Sequence, residues 1–187
     1  MQRRDFLQVA VLGTGGIALV GCEGDRTTQE KADVRREIDA GVGPTLDKMY
    51  ADVRGSREAA GKSEAMLVFP SVTKAGVGIG GEYGRGALRR GMRTDGYYAF
   101  SSGSIGFQLG AEKRSIVIMF MTQQALQQFL NSSGWSVGAD ASYAVPEQGG
   151  AAQAQTTPKP VVIYIFGATG LMFNASVEGS KIEKLDV

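Results

Sequence analysis

The sequence has no histidine and only one cysteine, Cys22, among 187 residues. Histidine is the commonest general base and metal ligand near neutral pH, so its absence excludes serine–histidine hydrolases and histidine-ligated metal centres. A lone cysteine cannot close an internal disulfide. The formal net charge is only +1, which gives no reason to expect a nucleic acid partner. These absences favour a binding or structural protein, without cofactor or metal, over an enzyme.

What is present fits one globular domain. The length suffices to bury a core, 43% of the residues are hydrophobic, and 27 glycines predict many tight turns or bulges.

The first 22 residues have the pattern of an export signal. Arg3 and Arg4 precede a mildly apolar run, 6–20, that is shorter than the about 20 residues needed to cross a bilayer. The stretch RRDFL resembles a twin-arginine signal, and LVGC at 19–22 resembles a bacterial lipobox. We therefore expect residues 1–21 to be removed and Cys22 to be acylated. The alternative is a short N-terminal core helix with a buried cysteine.

The expected mature chain comprises a lipidated tether, 22–29, and one folded domain, 30–187. Two or more acyl chains on Cys22 suffice for stable anchoring. Glu23 stands where aspartate would favour the inner membrane of many Gram-negative bacteria. The predicted location is therefore the periplasmic face of the outer membrane.

Helical signals dominate the first third of the domain. Thr27 and Glu30 form a capping box, Pro44 is typical of a second helix start, and Ser56 is a candidate cap for a third, short helix. Apolar residues at helical spacing follow these signals: Val34, Ile38, Val42, Leu46, Met49, Tyr50 and Val53.

The remainder predicts a sheet. Apolar runs indicate buried strands at 65–69 (ended by Pro70), 116–121 and 161–166, with 171–177 forming a hairpin with the last. Thr122 caps an inserted helix with Leu126, Phe129 and Leu130 on one face, and 146–159 is a polar loop. The predicted class is α+β: N-terminal helices, then a largely antiparallel, glycine-rich sheet, sandwich or barrel with one inserted helix.

The stretch AGVGIGGEYGRG, 75–86, contains the dinucleotide-binding spacing G-x-G-x-x-G at Gly76, Gly78 and Gly81. That fingerprint requires a helix after its last glycine, and two further glycines follow instead. Asp95, at the distance of the ribose-binding acid, lies in a Thr-Asp-Gly turn signal. We therefore interpret the stretch as a close-packed or sharply curved strand.

Two further patterns carry functional hypotheses. Ser71 and Lys74 match S-x-x-K, the nucleophile motif of penicillin-recognising enzymes, but its partner motifs S-D-N and K-T-G are absent. Basic residues cluster without an intervening acid between Glu82 and Asp95, and they form, with Lys74, a candidate site for anionic lipid headgroups: Arg85, Arg89, Arg90 and Arg93. The alternative is a solvated face offset by acids on the N-terminal helices.

Five motifs, in order, resemble the SYLF domain, also called the Ysc84-type actin-binding domain. They are AMLVFPSVTKAG (65–76), YGRG (83–86), SIGFQLG (104–110), ALQQF (125–129) and GLMFNASVEG (170–179). The resemblance covers about 30–185. It implies lipid binding, since eukaryotic members bind phosphoinositides and some bind actin. The SH3 modules of those members are missing here, and a periplasmic protein meets neither ligand, so a preference for anionic phospholipid is the property that carries over.

The sequence thus predicts a non-catalytic, membrane-anchored lipoprotein that binds phospholipid. A structural envelope lipoprotein with a protein partner is the alternative, and a Ser71–Lys74 hydrolase is the third hypothesis.

Overall fold

A computed structural model describes residues 27–106, 112–136, 142–143, 159–167, 170–171 and 179–187. The helices are α1 (Thr28–Asp52), α2 (Ser56–Lys62) and α3 (Gln123–Leu130). The strands are β1 (Ala65–Arg90), β2 (Arg93–Gly106), β3 (Glu112–Phe120), β4 (Trp135–Ser136), β5 (Ser142–Tyr143), β6 (Val161–Gly167), β7 (Gly170–Leu171) and β8 (Lys181–Lys184). The predicted α+β class, with its inserted helix α3, is confirmed.

The described strands form one curled sheet, a half-barrel, in the order β4-β8-β2-β1-β3-β6-β5, with β7 paired to β6. All of these pairings are antiparallel except that of β5 with β6. The predicted strands at 116–121 and 161–166 are β3 and β6, and the predicted hairpin begins with the pair Phe166 and Leu171.

Strand β1 bends back on itself and organises the sheet. Its first part, Ala65 to Lys74, pairs with β3, and its second part, Gly78 to Arg90, pairs with β2. A straight strand would separate Val68 from Gly86 by about 60 Å. A Cβ placed on Gly86 would nevertheless lie 2.3 Å from the Val68 carbonyl oxygen. The glycine-rich stretch 75–86 lies within this curved strand, as predicted, and no helix follows Gly81.

Each face of the sheet has its own core. Inside the curl, aromatic and aliphatic side chains pack on one another, among them Phe69, Phe100, Ile118 and, from α3, Phe129. On the outer face, α1 packs Ile38, Val42 and Met49 against the sheet. The long strand β1 contributes to both cores because successive side chains of a strand point to opposite faces.

The capping box of α1 is confirmed: Thr27 Oγ1 accepts from the Glu30 amide, and Glu30 Oε2 accepts from the Thr27 amide at 2.8 Å. The predicted helix start at Pro44 is wrong, since α1 continues through Pro44. Buried residues on both sides of the proline hold the helix together. Thr45 Oγ1 also donates to the Gly41 carbonyl at 2.8 Å in the turn that the proline weakens.

The prediction that Pro70 ends the first strand is wrong. Pro70 lies inside β1, at a register shift between Phe69 and Val72. A bulge tolerates proline because no ladder hydrogen bond from its nitrogen is needed there. The Ser115 hydroxyl donates to the Pro70 carbonyl at 2.8 Å, which links β3 to the irregular position.

Two smaller predictions require correction. The N-cap of α2 is Gly55, with φ of 82°, and not Ser56 as predicted. Ser56 is the first residue of the helix, and its hydroxyl donates to the carbonyls of Met49 and Val53, which precede the helix. The buried face of α3 contains Ala125, Leu126 and Phe129, while Leu130 is exposed. Residues 1–26, the predicted loop up to residue 158 and all of 172–177 lie outside the described residues.

Candidate functional site

The β1–β2 hairpin carries most of the predicted basic residues. Arg90 pairs with Arg93, so that Gly91 and Met92 form a two-residue loop, and Gly91 has φ of 59°. Glycine with positive φ at the first loop position is typical of a type II′ hairpin turn. The predicted turn at Asp95 is therefore wrong. The register shifts after Leu88, and Asp95 becomes an extra residue between Thr94 and Gly96.

The bulge directs Asp95 at two arginines. Its carboxylate lies 3.1 Å from Arg90 Nε and 2.7 Å from Arg93 Nε, and its side chain is only 14% exposed. One carboxylate thus serves two guanidinium groups. The end of the hairpin keeps one net positive charge, and the Arg93 side chain remains 75% exposed.

The other two arginines of the cluster attach the hairpin to α1. Arg85 Nη2 donates to Glu37 Oε2 at 2.9 Å, and Arg89 Nη1 lies 3.9 Å from Asp39 Oδ1. Arg89 also donates to the Thr94 hydroxyl at 2.9 Å. Acids on the N-terminal helix therefore offset Arg85 and Arg89, as the alternative interpretation of the cluster states.

Asp39 connects α1 to β2 as well. It accepts from the Thr94 hydroxyl at 3.0 Å and from the Tyr97 hydroxyl at 2.7 Å. Burial, then the hydrogen bond and charge of Asp39, raises the pKa of Tyr97 to about 12. These contacts fix the position of the hairpin relative to the helix.

The raised pKa of Tyr97 predicts a pH dependence of stability. The folded state holds the phenol proton more tightly than the unfolded chain, whose tyrosine pKa is about 10. The stabilisation is therefore complete below pH about 10 and is lost as the pH rises through about 12. We expect the advantage of the wild type over Tyr97→Phe in urea unfolding, about 1 kcal/mol at pH 8, to stay constant up to about pH 10 and to fall as the pH rises from there towards 12. A difference that does not change with pH would contradict the assignment.

Lys74 lies apart from this group. Its Nζ is 3.8 Å from Glu82 Oε1, and Glu82 forms a buried ion pair with Arg114 of β3. Within the described ranges, Lys74 thus shares no ion-pair partner with the four arginines. Sequence analysis missed the Glu82–Arg114 pair because Arg114 sits at the start of an apolar strand. Arg114 reaches Glu82 only because β3 pairs with the first part of β1 and the bend of β1 brings its second part, with Glu82, back onto the first.

The geometry gives no support to the serine–lysine motif. Ser71 and Lys74 lie on strand β1, where Ser71 is exposed and the Lys74 amine lies 3.8 Å from the buried Glu82 carboxylate. On a helix the S-x-x-K spacing would bring them together. In the part of the chain that the structure describes, no group of histidine, cysteine, aspartate and glutamate residues is suited to a metal ion. None of the described helices is long and apolar enough to span a bilayer.

Sequence analysis also missed Met92. This side chain is 94% exposed at the hairpin end, between the two arginines that share Asp95. The sequence feature that could have predicted an exposed Met92 is the tetrapeptide Arg90-Gly91-Met92-Arg93, in which the glycine marks the turn of a hairpin. Cys22, the predicted acylation site, lies outside the described residues.

Comparison with protein families gives a match in the C-terminal part of the chain. Residues 101–186 match the family model Ysc84, described as "Las17-binding protein actin regulator". The resemblance to the SYLF family is confirmed over this segment, which includes most of the sheet beyond β1. The arginine cluster and Lys74 precede the matched segment. No curated protein matches the chain.

Proposed function

Starting from the Ysc84 match, we propose that this protein is a lipoprotein of the bacterial envelope whose folded domain binds anionic phospholipid without catalysis. Residues 1–21 act as a twin-arginine signal peptide, and acylated Cys22 anchors the chain at the periplasmic face of the outer membrane. The observation that carries the lipid-binding part is the excess positive charge at the exposed end of the β1–β2 hairpin.

The anchor and the hairpin are compatible in distance. Thr27 is the fifth residue after Cys22, and an extended chain of five residue steps spans at most about 18 Å. Asp39 lies twelve residues after Thr27, about 18 Å along α1. Since Asp39 binds Thr94 beside the hairpin end, the basic residues lie within reach of a bilayer that holds Cys22.

The ion pairs support different roles for the four arginines. Arg85 and Arg89 are offset by acids of α1 and stabilise the hairpin. Arg90 and Arg93 share one acid, so they are the residues that meet lipid phosphates. Each basic residue near an anionic surface contributes about 1 kcal/mol, less at high salt. Lys74, next to Glu82, is left out of the proposed contact.

Flotation on vesicles tests this function. All described helices and strands follow residue 26, so the chain from residue 22 with Cys22→Ser keeps the described fold without an acyl anchor. We expect it to float on vesicles with about one third phosphatidylglycerol and not on phosphatidylcholine. The variant R90E/R93E should lose at least about tenfold in partition.

The matched control is K48E/K62E, which makes the same change in net charge on helices away from the hairpin, at two lysines that each pair with an acid four residues away on the same helix. Equal loss in both variants would mean that net charge alone governs binding. Equal recovery on neutral and anionic vesicles would overturn the proposal. The acylation of Cys22 is tested independently of vesicle binding, by mass spectrometry of the protein purified from native membranes.

A protein partner is the second candidate, because the description of the matched family names a protein-binding activity. Crosslinking in intact cells distinguishes the two. One dominant protein adduct, together with no binding to anionic vesicles, would favour a structural envelope lipoprotein.

A further inference from the structure

The end of the β1–β2 hairpin combines an exposed apolar side chain with flanking positive charge. Met92 is the most exposed of the large hydrophobic residues in the described part of the chain, and Arg90 and Arg93 lie directly before and after its two-residue loop. A type II′ loop requires glycine only at its first position. The turn therefore gives no reason of its own for a large apolar side chain at the exposed second position.

We propose that Met92 inserts into the interfacial region of an anionic bilayer while Arg90 and Arg93 bind phosphate groups on either side. This inference rests on the proposed function and deepens it by naming the element that enters the membrane. It also sets the orientation of the domain, with the hairpin end toward the lipid.

The loop is built to enter a less polar medium. Burying an unsatisfied backbone carbonyl is costly, and Arg89 donates a hydrogen bond from Nη2 to the Met92 carbonyl. A second bond from Arg89 to Thr94 fixes the same guanidinium. Gly91 adopts its positive φ without strain. The methionine side chain is thus presented on a turn whose conformation is already fixed, which lowers the entropy lost on binding.

The arginines suit the two sides of an inserted tip. Long basic side chains place their aliphatic stems along apolar groups and keep the charge in the polar headgroup layer. Arg93 contacts Asp95 through Nε, which leaves the outer nitrogens of its exposed guanidinium directed away from that contact. A phosphate can therefore bind there without breaking the pair with Asp95.

The shape of the feature favours lipid over a folded partner. A single projecting side chain offers far less than the about 800 Å² that each partner contributes to a stable protein interface. An apolar tip between positive charges matches the order of a bilayer surface, where anionic phosphates lie outside the acyl chains.

Depth-dependent quenching tests the insertion. In the Cys22→Ser chain from residue 22, Met92→Cys introduces the only thiol, which is labelled with an environment-sensitive fluorophore. Ala51→Cys, at an exposed position near the end of α1, is the matched control. With phosphatidylglycerol vesicles, we expect a blue shift and quenching by acyl-chain nitroxides at position 92 and no change at position 51. Unlabelled Met92→Ser should reduce vesicle partition about fivefold or more, and Ala51→Ser should leave it unchanged.

The outcomes separate the two proposals. If the protein binds the vesicles but the label at position 92 is not quenched, the insertion of Met92 is overturned and the proposed function stands. If the wild-type chain does not bind anionic vesicles at all, both are overturned. Quenching at both positions would also overturn the inference, because it would mean that the domain lies along α1 on the membrane.

Discussion

Replacement of Gly86 by alanine is expected to destabilise the folded domain by about 3 kcal/mol or more, the upper range for overpacking a core. The added Cβ would lie 2.3 Å from the Val68 carbonyl oxygen and 2.5 Å from Cδ1 of the buried Phe69 ring. Neither neighbour has room to move, since one is backbone and the other lies inside the curled sheet. Relief would require the two parts of β1 to separate and open the inner core.

Gly103→Ala is the matched control for this prediction. Gly103 lies on β2 opposite Gly81, and a Cβ there would meet no atom within 4 Å. Its effect should stay within about 0.5 kcal/mol. Urea unfolding followed by circular dichroism compares the two variants with the wild type. A loss of the same size in both would mean that glycine content, and not the close approach inside β1, determines stability.

The secondary structure was predictable wherever local chemistry decides it. The capping box at Thr27, the β-branched runs of β3 and β6, and the Thr122 cap of α3 each specify their element from a few neighbouring residues. The prediction that the glycine-rich stretch 75–86 forms a curved strand is also confirmed. It was possible because the two glycines after Gly81 are incompatible with the start of a helix.

The wrong predictions of helix and strand ends concern prolines. Their local preference is to interrupt a helix or a strand, but tertiary contacts keep the element continuous. Pro44 reads as a helix start, yet the outer core holds both halves of α1 against the sheet. Pro70 reads as a strand end, yet pairing with β3 resumes at Val72. Propensity is a weak prior against tertiary packing, and the packing partners lie tens of residues away.

The candidate site was predictable as a group of arginines but not as a set of ion pairs. Glu37 and Asp39 reach Arg85 and Arg89 across about 50 residues of sequence, and that distance hides the pairing. The tripeptide Thr-Asp-Gly predicts a turn at Asp95, because the local sequence does not reveal a one-residue register shift. The arginine cluster thus separates into a structural part and an exposed part only in the folded chain.

Removal of one member of the buried pair between Glu82 and Arg114 is the second prediction with a large effect. Both side chains are less than 10% exposed and lie inside the curl of the sheet, beyond the apolar core. Removing one member of a buried ion pair typically costs about 3–5 kcal/mol, because the attraction between the two charges no longer offsets the desolvation penalty of the remaining one. We therefore expect Glu82→Leu and Arg114→Met each to lower the free energy of unfolding by that amount.

The double variant E82L/R114M decides whether the loss comes from the ion pair or from the shape of the site. Replacing both buried charges by apolar side chains of similar size is often neutral or stabilising, so the double variant should be at least as stable as the better single one and should approach the wild type. The coupling energy from the double-mutant cycle should be several kcal/mol, far above the about 0.5 kcal/mol of independent sites. Lys74→Met is the control, since Lys74 lies 3.8 Å from Glu82 but is partly exposed, and its loss should cost about 1 kcal/mol or less. If the losses of the single variants were simply added in the double variant, the attraction between Glu82 and Arg114 would not be what holds this end of the half-barrel together.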